Sequence, residues 1–293
     1  MRREEVVGLI IIAIFVAGAV EAIVLPHVYT PQPLEFLHKI LPSKYWSPEV
    51  FELKFKNLVL VKNYHKTVED LPKVTKLLVK IYAKSCVIYI HEAKEGILYN
   101  ISAYRSAHIF ASGTPELEIT ETELSKDTYL IDVSAQKGVI IIEVSPELTK
   151  ELDIEVKSAV AEIKLASPSL SKLSIGIHST TSKIYLSQLN NTSISLKCSS
   201  STFSAEIAYS NLTLTSLDIE VRSSTGKVGI KIPENTSAQV TAKEVLSSSV
   251  RIEVPGCSKT LTMGSTTVGK VTDKGLLVNI KVYSSMLTLA VRQ

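Results

Sequence analysis

One phrase recurs between Leu152 and Gln293: two alternating aliphatic residues, a basic residue, a hydroxyl-rich turn, then a second alternating strand. Its copies read Ile154-Glu-Val156-Lys157-Ser158, Ile175-Gly-Ile177-His178-Ser179, Ile194-Ser-Leu196-Lys197-Cys198 and Ile219-Glu-Val221-Arg222-Ser223. Val240-Thr-Ala242-Lys243 and Val278-Asn-Ile280-Lys281 continue the series more loosely. A period of roughly 19 to 25 residues constrains the chain strongly, because so small a unit must stack on its neighbours to bury an apolar face. The partner strands are marked by Ile163 with Leu165, Ile184 with Leu186, Val228 with Ile230 and Ile232, and Val250 with Ile252 and Val254. Between the strands lie Ser179–Ser182, Ser199–Thr202, Ser223–Gly226 and Ser247–Ser249, small hydroxyl residues that can bond local backbone at tight corners. The predicted fold is all-β, a parallel β-solenoid over 149–293. An antiparallel sandwich is the alternative, since short strands separated by turns also fit it.

Residues 50–148 read as an irregular β region that caps the repeats. Phe51, Leu53 and Phe55 alternate and lead into Leu58-Val-Leu-Val61, a strand pattern. Thr67-Val-Glu-Asp70 before Leu71-Pro72 is a helix-start signal, and Val74, Leu77, Leu78 and Ile81 follow at helical spacing. The same segment is β-branched enough for a strand. Further strands are expected at 86–90, 98–103, 117–119, 129–133 and 139–144.

The N-terminus sets the expected compartment. Val6 to Leu25 is apolar except for Glu21, and about 20 such residues span a hydrocarbon core as a helix. Arg2 and Arg3 in the stub 1–5 favour a cytoplasmic N-terminus. The reading is a single transmembrane anchor over 6–25, with the lipid bilayer as partner, then a Pro-containing spacer over 26–49. Ala17-Gly18-Ala19 offers the alternative of a cleaved signal segment. Either way, the chain beyond Pro26 is exported, at the cell surface or secreted. Asn100, Asn190, Asn191, Asn211 and Asn235 each begin an N-glycosylation sequon, which fits export. Exported context also allows a Cys198–Cys257 bridge between neighbouring repeats, although spacing does not fix connectivity and small buried thiols are an equal reading.

Aligning the copies by their first aliphatic residue gives three outward rows: Asp153, Ser174, Ser193, Asp218, Gln239; Glu155, Gly176, Ser195, Glu220, Thr241; and Lys157, His178, Lys197, Arg222, Lys243, Lys281. The last is basic throughout and is the candidate surface for an anionic polymer. The simpler reading is that its cations pair with Asp153, Glu155, Asp218 and Glu220 as solvated surface. Enzyme chemistry finds little support. Asp153 and Asp218 fall three copies apart, about 14 Å at the usual strand spacing, beyond the separation of a glycosidase pair. The six histidines lack metal-ligand spacing, no Gly-x-Ser-x-Gly elbow occurs, and no cofactor is expected. A net charge of +3 with scattered Lys and Arg argues against nucleic acid as a partner.

The segment Ile219-Glu-Val-Arg-Ser-Ser-Thr-Gly-Lys-Val-Gly-Ile-Lys-Ile-Pro233, followed by Ala238 to Val254, resembles a family of prokaryotic exported domains of unknown function called "putative adhesin" domains. The likeness covers about 125–293, and Gly226 matches a turn glycine where the other copies have Ala161, Ser182 or Ser249. The resemblance implies a parallel β-solenoid and no catalytic residues. Together these readings predict a non-enzymatic, membrane-anchored extracellular solenoid for adhesion-like contact with cell-surface glycans or envelope proteins. The alternative is a filament or sheath subunit, a homo-oligomer joined through solenoid edges, with Met286–Val291 as the expected free edge.

Overall fold

Strict side-chain alternation builds the sheets. In β8 (Thr149–Lys157), Leu152, Ile154 and Val156 are buried while Glu151 and Asp153 face solvent, as a pleated strand requires. The computed structural model describes residues 58–105, 114–272 and 274–293. The stub, the anchor Val6–Leu25, the spacer and the alternating stretch from Val50 to Asn57 lie outside the described residues. Among the described residues there is no helix, and the fold is all-β.

One sheet has ten strands and contains β8, β10 (Lys172–His178), β12 (Ser193–Ser199), β14 (Leu214–Arg222), β16 (Ser237–Leu246) and β20 (Gly275–Tyr283). It also holds β2 (Lys76–Lys84) and β6 (Thr128–Gln136). The other has eleven and contains β9 (Val160–Ala166), β11 (Thr181–Asn190), β13 (Thr202–Asn211), β15 (Thr225–Lys231), β17 (Ser249–Val254) and β21 (Met286–Arg292), with β3 (Val87–Glu92) and β7 (Val139–Val144). Each of these eight strands of the first sheet is followed by one of the second, so a β-strand pair forms a rung. All pairings between rungs are parallel, which excludes the antiparallel sandwich. Antiparallel pairing is confined to the ends, where β1 (Val59–Thr67), β4 (Ile97–Arg105) and β5 (Glu116–Ser125) close one end and β18 (Cys257–Leu261) and β19 (Gly264–Gly269) the other. A single apolar core runs between the sheets from Val74 to Val291. Each such buried aliphatic contributes about 1.5–3 kcal/mol.

Two rungs stand out of chain order. The β2–β3 rung sits between β6–β7 and β8–β9, and the β20–β21 rung sits between β14–β15 and β16–β17. The last strand is therefore an interior one, hydrogen-bonded to β15 on one side and β17 on the other. This overturns the expected free edge at Met286–Val291; the outermost strands are β1, β5, β18 and β19.

The corners explain the serine content. Ser158, Ser179, Ser200, Ser223, Ser247 and Ser284 all take left-handed backbone conformations with φ between 47° and 52°. This conformation costs a non-glycine residue about 1–2 kcal/mol. The turn is held by its neighbours: the N–H of Ser179 donates to Ser199 O, that of Ser200 to Arg222 O and that of Ser223 to Tyr283 O. The next residue along carries a hydroxyl in five rungs. Thr180 N–H donates to Ser201 Oγ at 3.2 Å, Ser201 N–H to Ser224 Oγ at 3.0 Å, Ser224 N–H to Ser285 Oγ at 3.0 Å and Ser285 N–H to Ser248 Oγ at 3.2 Å. Each hydroxyl in turn donates to the carbonyl two residues before it, at 2.6–2.8 Å. Backbone polar groups that the corner would otherwise bury unpaired are satisfied rung by rung. The ladder of hydroxyls stops at Ala159, which has none to offer.

At the opposite end a polar clasp ties the sheets' edges together. Lys62 Nζ on β1 donates to Leu117 O on β5 at 3.2 Å. Glu121 on β5 accepts from Lys66 on β1, Tyr99 on β4 and Tyr129 on β6, and Lys66 Nζ also donates to Tyr129 Oη at 2.9 Å. Burial opposes ionisation of Glu121, but the hydrogen bonds from Lys66, Tyr129 and Tyr99 outweigh it and hold the carboxyl below the ordinary value of 4.5. Burial first, then the bond to Glu121, raises the Tyr99 phenol above the ordinary tyrosine range. A depressed carboxyl contributes stability that is present above its unfolded pKa and lost as pH falls through the lower folded value. Denaturation midpoints are thus expected to decline as the solution is acidified below pH 4.5, and Glu121→Gln should flatten that decline. Superimposable acid limbs for the two proteins would show that Glu121 does not govern the clasp.

The helix-start signal at Thr67 forms its bonds but no helix. Asp70 Oδ2 accepts from Thr67 N–H at 2.7 Å and Thr67 Oγ1 at 2.8 Å, and Asp70 N–H donates back to Thr67 Oγ1 at 3.3 Å. The chain then runs into β2, where Leu77, Val79, Ile81 and Ala83 are buried on one face between β6 and β8. Tertiary pairing overrides the local cap.

Candidate functional site

The outer face of the ten-stranded sheet carries the rows expected from the repeats, but in a different register. Ile154 pairs with Ile175, Ile175 with Leu196, Leu196 with Ile219 and Ile219 with Ile280. The third, fifth and sixth copies are thus displaced by two residues from the phrase alignment. Lys157, His178, Ser199, Arg222 and Tyr283 form one row, so the basic row is interrupted. Lys197 and Lys281 stand in the adjacent row with Glu155, Gly176, Glu220 and Glu244, where charge alternates. A third row joins Asp153, Ser174, Ser195 and Asp218 to Asn279 and Thr241. Ser193 falls outside it and bonds Ser216 across the strands at 3.1 Å.

Three cations of this face are matched by a glutamate. Lys157 Nζ lies 2.7 Å from Glu155 Oε1, Arg222 Nη2 2.6 Å from Glu220 Oε1 and Lys281 Nζ 2.9 Å from Glu244 Oε1. The Glu155 hydrogen bond raises the Lys157 ammonium above the lysine norm. Tyr283 and then Lys281 hold Glu244 below the glutamate norm. Lys157 also lies over Tyr82 at 5.3 Å and Arg222 over Tyr283 at 5.0 Å from the ring centroids. These exposed pairs contribute little stability individually; they flatten the field of the face. Asp218 accepts from Asn279 Nδ2 at 2.9 Å instead of a cation.

His178 brings the face nearest to a catalytic arrangement. Its Nδ1 and Ser199 Oγ are hydrogen-bonded at 2.6 Å. Its Nε2 stands 3.9 Å from Glu155 Oε1, beyond hydrogen-bond reach, and that oxygen already takes Lys157. The three groups lie in open rows across adjacent strands, so a Ser–His–carboxylate relay is not assembled. Among the described residues, no group of three His, Cys, Asp or Glu comes together as a metal site.

Lys243 leaves the rows altogether. Ala242 pairs with Ile280 of β20 and Thr266 of β19, but Glu244 pairs with Lys281 and Val245 with Gly264. The extra residue makes a β-bulge against both neighbours and turns Lys243 outward beside β19. No ion pair holds it among the described residues. Nothing in the phrase Val240-Thr-Ala242-Lys243 distinguishes it from an ordinary copy.

The cysteine and sequon expectations are revised by position. Cys198 pairs with Ile177 and Val221 inside the ten-stranded sheet and points into the core, whereas Cys257 is exposed on edge strand β18. All three cysteines are free thiols, so the Cys198–Cys257 bridge is absent. Burial pushes the Cys86 thiol up to about 12 and raises Cys198 as well, the mark of inert packing residues. Asn100 lies within β4, not in a turn, and its Nδ2 donates to Glu143 Oε2 at 2.6 Å. Asn190 is half-buried and donates to Pro168 O at 3.3 Å. Asn191, Asn211 and Asn235 are exposed, at the ends of strands or in turns.

No family model matches this chain. No curated protein matches it. Two solved structures are similar over most of its length. A "putative cell adhesion protein" from Clostridium sporogenes is 13% identical at a TM-score of 0.45, over 79% of this chain and 99% of its own. A "putative adhesin" from Bacteroides fragilis is 11% identical at a TM-score of 0.24, over 80% of this chain and 98% of its own. At these scores the likeness carries no functional argument.

Proposed function

We propose that the chain is a non-enzymatic, extracellular β-solenoid, anchored in the membrane through Val6–Leu25, that displays its sheet faces for adhesion-like contact with glycans or proteins of a cell surface. The observation that carries this reading is the open outer face of the ten-stranded sheet. Its polar groups stand in straight rows across parallel strands, charges matched to charges, with no convergence on a reacting atom. Such a face presents area and pattern. Exposed Asn191, Asn211 and Asn235 are the sequons fit to carry glycans. A filament would need edges open to strand addition. Here one end is clasped through Glu121, and the other ends in short polar strands carrying Lys259, which blunt pairing.

The test compares cells displaying the full chain with cells lacking it, on surfaces coated with cell-envelope material. Retention of the displaying cells is expected, with purified protein monodisperse in light scattering. Equal retention of both cell types would sink the adhesion reading. Turnover of ester or glycoside substrates would sink the non-enzymatic one, and ordered polymers would favour the filament.

A further inference from the structure

The geometry points to a binding site for an anionic glycan at the Lys243 bulge. A shallow, open hollow of about 470 Å³ lies on the surface where β16 and β19 pair around the bulge, lined by Thr241, Ala242, Lys243, Ser265, Thr266 and Thr267. Its size suits one or two sugar residues, given that small-molecule sites span roughly 300–1,000 Å³. Four of its six lining residues carry hydroxyls that can both donate and accept, as sugar hydroxyls require. Thr241 Oγ1 and Thr267 Oγ1 stand 3.4 Å apart across the strands, a long and weak bond that a ligand hydroxyl can replace.

Charge selects the ligand. Among the described residues, no carboxylate lines the hollow. Glu244, the residue next to Lys243, is turned to Lys281 and Tyr283 on the row side of the bulge. Lys259 of β18 bonds Thr266 from the inner side, the side of Ala242, which leaves Lys243 as the cation of the outer face here. Elsewhere on this sheet Lys157, Arg222 and Lys281 each have a glutamate within 3 Å. The bulge thus places unmatched positive charge where hydroxyls gather, and the neutralising partner is a carboxylate or sulfate on the ligand. Among the described residues, no aromatic ring lines the hollow to offer a stacking platform for neutral sugars. The site names a ligand for the display reading above and rests on it.

The experiment titrates the full chain with alginate oligosaccharides, dextran sulfate and neutral dextran at low and high salt. Either polyanion is expected to bind in a salt-sensitive way, and whichever does identifies the acidic group. Lys243→Gln should weaken that binding by about tenfold or more, as loss of a charge-assisted hydrogen bond does. Lys243→Arg should restore most of it, which separates charge from fold. A Lys94→Gln and Lys126→Gln double variant, in exposed loops off the sheet faces and at the other end of the stack, should bind as the unaltered chain does. Failure of both polyanions to bind, equal binding of neutral dextran, or an equal loss in the double variant would overturn the site. Cells that adhere while the polyanions fail to bind sink the site alone; cells that do not adhere sink the display reading.

Discussion

Replacing Gly226 by valine is expected to destabilise the protein by about 2–3 kcal/mol, the usual cost of overpacking a filled core. Gly226 is buried in β15 beside Phe203 of β13, and a Cβ at that position would overlap the Phe203 ring. The row across the interior reads Ala161, Ser182, Phe203, Gly226, Leu287, Val250, so one large ring spans the space of two neighbours. The glycine is kept for room within a strand, and its φ is not left-handed. The partner substitution Phe203→Ala opens the same space, so Gly226→Val and Phe203→Ala together should cost less than the sum of the two alone. Denaturant melts of the four proteins measure that coupling, expected at about 1–3 kcal/mol for residues in contact. Additive losses would mean that the ring and the glycine do not share the space.

Ser224→Ala is expected to cost about 1–3 kcal/mol, because it leaves a buried donor without its acceptor. Ser224 Oγ receives Ser201 N–H and donates to Arg222 O, and the residue is almost wholly buried. Ser224→Thr is the control. Thr180 fills the equivalent place two rungs away and makes the same carbonyl bond, so threonine should be nearly neutral. Native-state hydrogen exchange adds a local readout: the Ser201 amide should lose protection in Ser224→Ala and keep it in Ser224→Thr. Equal stability of all three proteins would reduce the ladder of hydroxyls to incidental contacts.

The strands themselves were legible, since Leu152, Ile154 and Val156 alternate with charged residues as plainly in the sequence as in the structure. Register was not legible from that alternation alone. A period of two leaves every aliphatic pair equivalent under a two-residue slip, and Ile194-Ser-Leu196-Lys197 repeats the motif one pair too early. The corner serines break the tie: Ser179-Thr180, Ser200-Ser201 and Ser223-Ser224 align the copies correctly and move Cys198 into the core. The same anchor places Ser249 beside Thr225 through Met286, one position away from Gly226. The candidate face was half visible. The pairing of Lys157 with Glu155 and of Arg222 with Glu220 follows from their spacing within a strand. The bulge at Lys243 does not, because it depends on what β19 and β20 present on either side. Nor could the Glu121 clasp be read, since its four residues come from four strands that only the closed end brings together.

The out-of-order rung at the β16–β17 end ties the assembly of that end to the direction of synthesis. A simple repeat stack can add each unit as it leaves the ribosome or translocon. Here residues 237–269 emerge first but have no finished surface to rest on, since β14 and β15 must first receive β20 and β21. The β16–β19 end therefore waits for residues 275–292 before it can pair with the rest of the stack. Without residues 275–292, β14–β15 and β16–β17 would be left with no strand between them.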